Sequence, residues 1–309
     1  MKRRRKNKRI CFGFTNLVLG LAVVVGTLVV TQTNALQYLK GKLAGGNAKS
    51  EQKAWQTAID DSTNITANSE ETTKTDDARP LITLSKAVTG KMKKGIMLEK
   101  TGYVSYFNYD RNNPDWVAWE LTDAEAKGNL NRKGFSFVPD EDLPMVHRVT
   151  TYDYKESGYD RGHMCPAGDM KWSVDAMHDC FYMSNICPQV PELNQRSWER
   201  LESACRRWAS KLGSIYIVCG PIYKKKTPEY IGLDHRVAVP DAFFKVVVSL
   251  KKDKEKGIAF YYENTEENQP METAVRSIDQ IEKITKLDFF SELPDDVENK
   301  IEAETQLWR

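Results

Sequence analysis

Five runs rich in Val, Ile, Phe and Tyr surround one long helical stretch in this chain, and that arrangement limits the fold more than any other feature. Residues 103–109 and 116–121 read as strands about an Asp110-Arg-Asn-Asn-Pro turn. Strand-like runs recur at 214–219, 242–250 and 257–263, where β-branched and aromatic side chains suit a pleated, partly buried surface. Between them, residues 195–212 carry Trp198, Leu201, Cys205, Trp208 and Leu212 at helical spacing, and Gly213 closes the run. A second helix is predicted over 272–285. Strands and helices mix without regular βα alternation, so the expectation is an α+β domain with a mainly antiparallel central sheet flanked by helices.

The N-terminus is of another kind. Residues 2–9 hold seven basic side chains and no acidic one, and an apolar stretch follows to residue 30, interrupted by Thr15, Asn16, Thr27 and glycines. That length spans a bilayer as a helix. A cleaved signal peptide ending near Thr33-Asn34-Ala35 fits as well, although the length favours a retained anchor. Both readings leave the basic cluster in the cytoplasm and send the rest across. The expected destination is therefore extracytoplasmic, periplasmic or secreted, with a membrane contact if the segment is kept. A mitochondrial transit peptide should be amphipathic and Ser-rich, and this segment is neither. Residues 1–35 form this leader. Residues 36–94 are too polar to bury themselves and read as a tether, with room for a short helix at 50–59. The folded domain is expected over 95–309.

Charge and cysteines exclude some functions. The whole chain carries +2, so removing the seven basic groups of 2–9 leaves the remainder near −5. No broad basic surface advertises a polyanion, and any positive potential must be local to a cleft. Besides Cys11, five cysteines lie between 165 and 219 (Cys165, Cys180, Cys187, Cys205 and Cys219), with no zinc-finger spacing. Buried free thiols and one or two disulfides both remain open.

The chemistry concentrates in two segments. Asp160-Arg161-Gly162-His163 sets an imidazole beside a guanidinium at a glycine. Asn194, Glu202 and Arg206 follow on or beside the helix of residues 195–212. At ~100° per residue, Asn194 points with the buried stripe, Glu202 flanks it, and Arg206 lies within reach of Glu202. A base, a metal-binding oxygen and cations are what phosphodiester cleavage needs. The plainer readings are a helix-supporting Glu202–Arg206 pair, a helix-capping Asn194 and a structural His163. In the loop before the helix, Pro188 and Pro191 disfavour regular structure, and Asn185 and Gln189 are candidate hydrogen-bonding braces. Trp198 and Trp208 read as core rather than base-stacking platforms.

Taken in order, Asp160-Arg-Gly-His-Met-Cys-Pro-Ala-Gly-Asp-Met170, Met183-Ser-Asn-Ile-Cys-Pro-Gln189 and Leu193-Asn-Gln-Arg-Ser-Trp-Glu-Arg-Leu-Glu202 closely resemble the DNA/RNA non-specific endonucleases. The likeness extends to Trp116-Val-Ala-Trp-Glu-Leu-Thr122, Ile215-Tyr-Ile-Val-Cys-Gly-Pro-Ile222, Val239-Pro-Asp-Ala-Phe-Phe-Lys245 and Ile281-Glu-Lys-Ile-Thr-Lys-Leu-Asp-Phe-Phe290, covering about residues 100–292. The resemblance implies the ββα-metal, or His-Me finger, nuclease fold. It implies that His163 is the general base and Asn194 the direct protein ligand of one hydrated divalent cation, magnesium, or manganese or another divalent ion in its place. Glu202 matches the acid that orients the ion's water. Arg161 and Arg206 match phosphate-holding cations, and Arg132 does so more loosely. Asn185 and Gln189 match residues that shape the site, and Asp160 reads as a structural brace for its loop. DNA and RNA are the implied substrates; no protein partner is indicated. Three other readings compete: an exported nucleic-acid-binding module without catalysis, a structural-zinc protein, and a phosphodiesterase for small nucleotides.

Overall fold

The computed structural model describes residues 82–252 and 254–308. The expected leader over 1–35 and the short helix at 50–59 lie outside the described residues. The chain lays down β1 (Val88–Gly90), β2 (Gly95–Glu99), β3 (Val104–Asn108) and β4 (Asn113–Thr122) before a short helix, α1 (Asp123–Ala126). There follow β5 (Asp160–His163), α2 (Val174–Cys180), β6 (Ile186–Gln189) and the long α3 (Glu199–Leu212). Then come β7 (Ser214–Ile222), β8 (Tyr230–Ile231), β9 (Val237–Ala238), β10 (Ala242–Ser249) and β11 (Lys256–Glu263). The chain closes with α4 (Met271–Ala274), β12 (Val275–Arg276), α5 (Ile278–Thr285), β13 (Leu287–Phe289) and α6 (Asp295–Glu302).

Seven strands form one antiparallel sheet in the order β12-β11-β10-β7-β4-β3-β2. Its middle strands are buried on both faces, which is why β7 and β10 read as nearly unbroken apolar runs instead of alternating ones. Val117, Trp119, Ile217, Cys219, Phe243 and Val247 point into one layer, which also buries Ala176 and Met177 of α2 and Leu201, Cys205 and Trp208 of α3. Trp116, Ala118, Val218, Phe244, Val246 and Val248 point into the other, with Ile278 and Ile281 of α5, Phe289, and Ile301 of α6. The five expected strands are all present, and the α+β architecture with its antiparallel sheet is as anticipated.

Two helices differ from expectation. The run 272–285 is broken into α4, β12 and α5, because Val275 and Arg276 pair with Phe260 and Ala259 at the sheet edge. Ser277 then restarts the helix through a reciprocal capping box with Gln280. The helix expected from 195 begins as a π-turn over Leu193–Trp198 and becomes α-helical only at Glu199. A wheel drawn at one constant angle therefore misplaces Asn194 relative to Glu202. The packed chain also reaches back before 95: Val88 pairs with Phe289, and Ala87 is buried.

β5 and β6 stand apart as a two-stranded antiparallel pair, from Asp160 opposite Gln189 to His163 opposite Ile186. The chain leaves β6, crosses Val190–Glu192 and enters the π-turn and α3. Two strands, the π-turn and α3 thereby carry every site residue singled out from the sequence except Arg132 and Asn185. All five described cysteines are buried and free, which closes the disulfide alternative. Among the described residues no cysteines gather closely enough to hold a metal, so the zinc reading falls too.

Candidate active site

The strand pairing begins the site. A Cβ on Gly162 would lie 1.9 Å from the Gln189 Oε1, so any larger residue here would force the buried Gln189 side chain to move. Gln189 is fully buried and neither of its amide atoms meets a partner, so it fills space against Gly162 rather than bracing by hydrogen bonds as expected. Asn185 does brace. Its Nδ2 donates to the Cys165 carbonyl at 2.9 Å and the Cys180 carbonyl at 2.8 Å, and its Oδ1 accepts from the Cys165 N–H at 2.9 Å. That amide locks the segment after His163 to the end of α2.

Asp160 is tied to the π-turn. Its Oδ2 accepts from Asn194 Nδ2 at 2.9 Å and from Gln195 Nε2 at 2.7 Å. A carboxylate only accepts, so it holds the nitrogen end of the Asn194 amide and leaves the oxygen end as the free acceptor. Asn194 is not a helix cap; its side chain reaches across to another segment.

His163 sits among rings and cations. Phe137 and Phe181 each lie 5.1 Å from the imidazole, centroid to centroid. Arg161 stacks over Phe137 at 4.9 Å and Arg132 over Phe181 at 5.1 Å. His163 Nε2 is buried and has no partner among the described residues. Burial first, and the charge of Arg132 second, push the imidazole from 6.5 down to about 3, so it is neutral at physiological pH. An unpaired buried ring nitrogen costs about 1–3 kcal/mol, which a fold keeps only for a reason.

A cleft of about 500 Å³ is lined by Arg132, Lys171, Glu202 and Arg206 among others; His163, Arg161 and Asn194 are not part of its lining. The expected Glu202–Arg206 ion pair is not formed. Arg206 turns instead to Asp169, with Nη1 donating to Oδ1 at 2.9 Å, while Nη2 donates to Ser203 Oγ at 2.8 Å. The physical reason is a ready-made slot: Asp169 is wholly buried and needs a counter-charge, and Gly168 leaves the guanidinium room, since a Cβ there would sit 2.6 Å from Nη1. The second oxygen of Asp169 accepts from Trp119 Nε1 at 3.1 Å. Glu202, spared that partner, has its carboxyl raised from 4.5 to about 7, burial being the main cause and Lys245 the chief opposing one.

Lys245 is the residue to which sequence reasoning gave no role. It is 1% exposed on β10 and faces the α3 layer, with Nζ 4.4 Å from the Trp198 ring centroid and 5.2 Å from that of Trp119. Two such cation–π contacts supply about 1–2 kcal/mol each, short of the several kcal/mol needed to desolvate an ammonium. The balance comes from the nearby carboxyl groups of Glu202 and Asp169, and the lysine stays charged with its pKa raised. A lysine inside an apolar strand run was the visible signal. Asp169 was equally visible at the end of the glycine-rich segment but was not singled out. Trp198 and Trp208 are core, as expected.

The chain matches the family model described as DNA/RNA non-specific endonuclease over residues 83–296. It is similar to a mitochondrial nuclease 1 of Schizosaccharomyces pombe, 36% identical over 212 residues, covering 62% of this chain and 65% of that protein. It is also similar to the mitochondrial nuclease of Saccharomyces cerevisiae, 43% identical over 159 residues and 48% of each chain. It thus spans about half to two thirds of these relatives' length. The EndoG chain of a solved EndoG/EndoGI complex superimposes with a TM-score of 0.65 at 27% identity, covering 72% of this chain and 96% of that one. The fold is accordingly the ββα-metal nuclease fold. The extracytoplasmic destination expected from the N-terminus is corrected by these relatives, whose names are mitochondrial. Basic, acid-poor leaders serve several membranes, so the positive cluster did not by itself specify which one.

Proposed function

The chain belongs to the DNA/RNA non-specific endonuclease family, and we propose that it hydrolyses phosphodiester bonds of DNA and RNA with little base preference, using His163 as general base and one hydrated divalent cation at Asn194. The observation that carries this reading is the Asp160–Asn194 hydrogen bond. It commits the amide nitrogen and leaves an oxygen, the donor type that hard cations select. A single neutral oxygen ligand leaves the ion largely hydrated, which fits magnesium; manganese is the next choice. The unpartnered His163 Nε2 fits a site that receives a water or substrate proton. When bound, the cation supplies neutralisation of phosphate charge and stabilisation of the leaving oxygen.

The chain's own residues do the rest. His163, neutral at working pH, accepts the proton of the attacking water. Burial is the larger cause of its low basicity and Arg132 the smaller, so a phosphate bound to Arg132 offsets only the smaller part. Glu202 orients water at the site once ionised. Arg206, fixed by Asp169 and Ser203, has used two of its five N–H donors and has others for a phosphate oxygen. Arg161 adds a further backbone-phosphate contact. Phosphate contacts carry no sequence information, hence the lack of base choice.

The test is digestion of plasmid DNA and of RNA with magnesium and then with chelator, alongside Asn194→Ala. Cleavage that stops with the chelator and with the variant is the expected result. Full activity of Asn194→Ala would remove Asn194 as the ligand, and retention without cleavage by the wild type would favour the binding-module alternative.

A further inference from the structure

The cations around the cleft are not equivalent. Arg206 is already answered: Asp169 lies 2.9 Å away, and Glu199 stands at 3.9 Å. Arg132 and Lys171 line the same cleft, and among the described residues neither meets a carboxylate within ion-pair distance. Among the cations that line this cleft, the unanswered positive charge therefore resides on these two side chains, not on the arginine pinned to its aspartate.

The cleft is also larger than one phosphate needs. About 500 Å³ is the size of a site that takes a drug-sized molecule. Arg132 is near enough to His163 to depress its pKa, whereas nothing ties Lys171 to the imidazole. Lys171 is nonetheless tied through its backbone to Leu130, two residues before Arg132. The Leu130 N–H donates to the Lys171 carbonyl at 3.1 Å, and the Phe135 N–H donates to the Arg132 carbonyl at 3.2 Å. Asn129 and Asn131 line the same cleft. Cations and amide donors on a backbone-pinned wall suit a polyanion whose charges repeat along a chain.

We propose that Lys171 holds a second phosphate of the nucleic-acid strand, next to the scissile one, and that Lys171 and Arg132 together supply the cleft's net electrostatic grip on substrate. This rests on the endonuclease reading for the identity of the ligand. It extends that reading by naming a substrate contact outside the reacting centre and by giving Arg206 mainly an orienting part. A contact of this kind is sequence-independent and releases counterions when it forms.

The experiment is binding of a short, labelled single-stranded oligonucleotide to the full chain in chelator, by fluorescence anisotropy, between about 50 and 200 mM salt. Lys171→Gln is expected to weaken binding and to lower the steepness of log affinity against log salt by about 0.7, one phosphate's share for a single strand. Lys171→Arg is expected to restore the slope. Lys224→Gln, which removes a lysine engaged by Glu263 on the surface, is expected to leave it unchanged. A merely structural role for Lys171 would lower affinity at every salt concentration without changing the slope, and that result, or an unchanged Lys171→Gln, overturns the proposal. Because chelator stops turnover, the slope tests Lys171 even if plasmid digestion fails; wild-type protein that binds but never cuts sinks the endonuclease reading alone.

Discussion

The two faces of the central sheet come from the same strands and have opposite characters. On β10, Phe244 and Val246 enter the layer beneath α5 and α6, where the strand side chains are apolar. Lys245, between them in sequence, enters the layer beneath α3, where Asp169 and Glu202 share its surroundings. One face is an ordinary core whose stability rises with area buried. The other buries the charges of Asp169 and Lys245 at a cost, and the neutral His163 Nε2 and both amide atoms of Gln189 in the ββα unit lack partners. Residues that weaken a core without helping it pack belong to a site, and the cheapest place for them is the face that the ββα unit covers.

The contrast can be broken in several ways. The largest effect should come from His163→Ala, which is expected to cut turnover by about 100- to 10,000-fold on plasmid DNA while thermal unfolding stays near wild type. An equal loss of melting temperature would make His163 part of the core instead. Phe244→Ala, on the opposite face, should do the reverse, costing about 3–5 kcal/mol in urea unfolding while activity per folded molecule holds. Lys245→Met tests whether its neighbour belongs to the other class. Removing one partner of buried charges costs about 3 kcal/mol, and here most of the turnover should go too. A stable, active Lys245→Met would show that this face tolerates an apolar strand.

The smallest effect carries the clearest sign. Burial lifts the Glu202 carboxyl from 4.5 to about 7, so between those values the folded chain keeps a proton that the unfolded chain has lost. The contribution of this group to stability is complete below about pH 4.5 and is withdrawn as pH rises through 7. Glu202→Gln should therefore be more stable than wild type at pH 8, by about 2 kcal/mol once the solvent that still reaches the group is counted, and no different near pH 4. It should also be inactive. His163 works in the opposite sense: its contribution is complete above pH 6.5 and is lost as pH falls towards about 3. Unfolding curves of the two variants at pH 4, 6 and 8 would separate these slopes, and parallel curves would refute both assignments.

Much of this was legible in the chain. Long β-branched runs make strands wherever they are covered, so β4, β7, β10 and β11 were visible. Asp160, Arg161 and His163 stood out as a motif, but that they lie on a short strand paired to β6 did not, because three polar residues and a glycine carry no strand periodicity. The break at Ser277 was written as Ser-x-x-Gln, yet the apolar spacing around it imitated one continuous helix. Arg132 was the loosest assignment from sequence, in variable ground, and the fold brought it to the cleft beside Glu202 and Arg206.

Residue order by itself settled which chemical groups this protein has, the α+β class and the family, because those depend on side-chain type and on spacing within a few turns or strands. Which charge answers which was settled only in three dimensions. Arg206 is four residues from Glu202 and thirty-seven from Asp169, yet it chose Asp169, because a wholly buried carboxylate gains more from a counter-ion than one with solvent still in reach. Local spacing sets which pairs are possible; the depth at which packing leaves each group sets which pair forms.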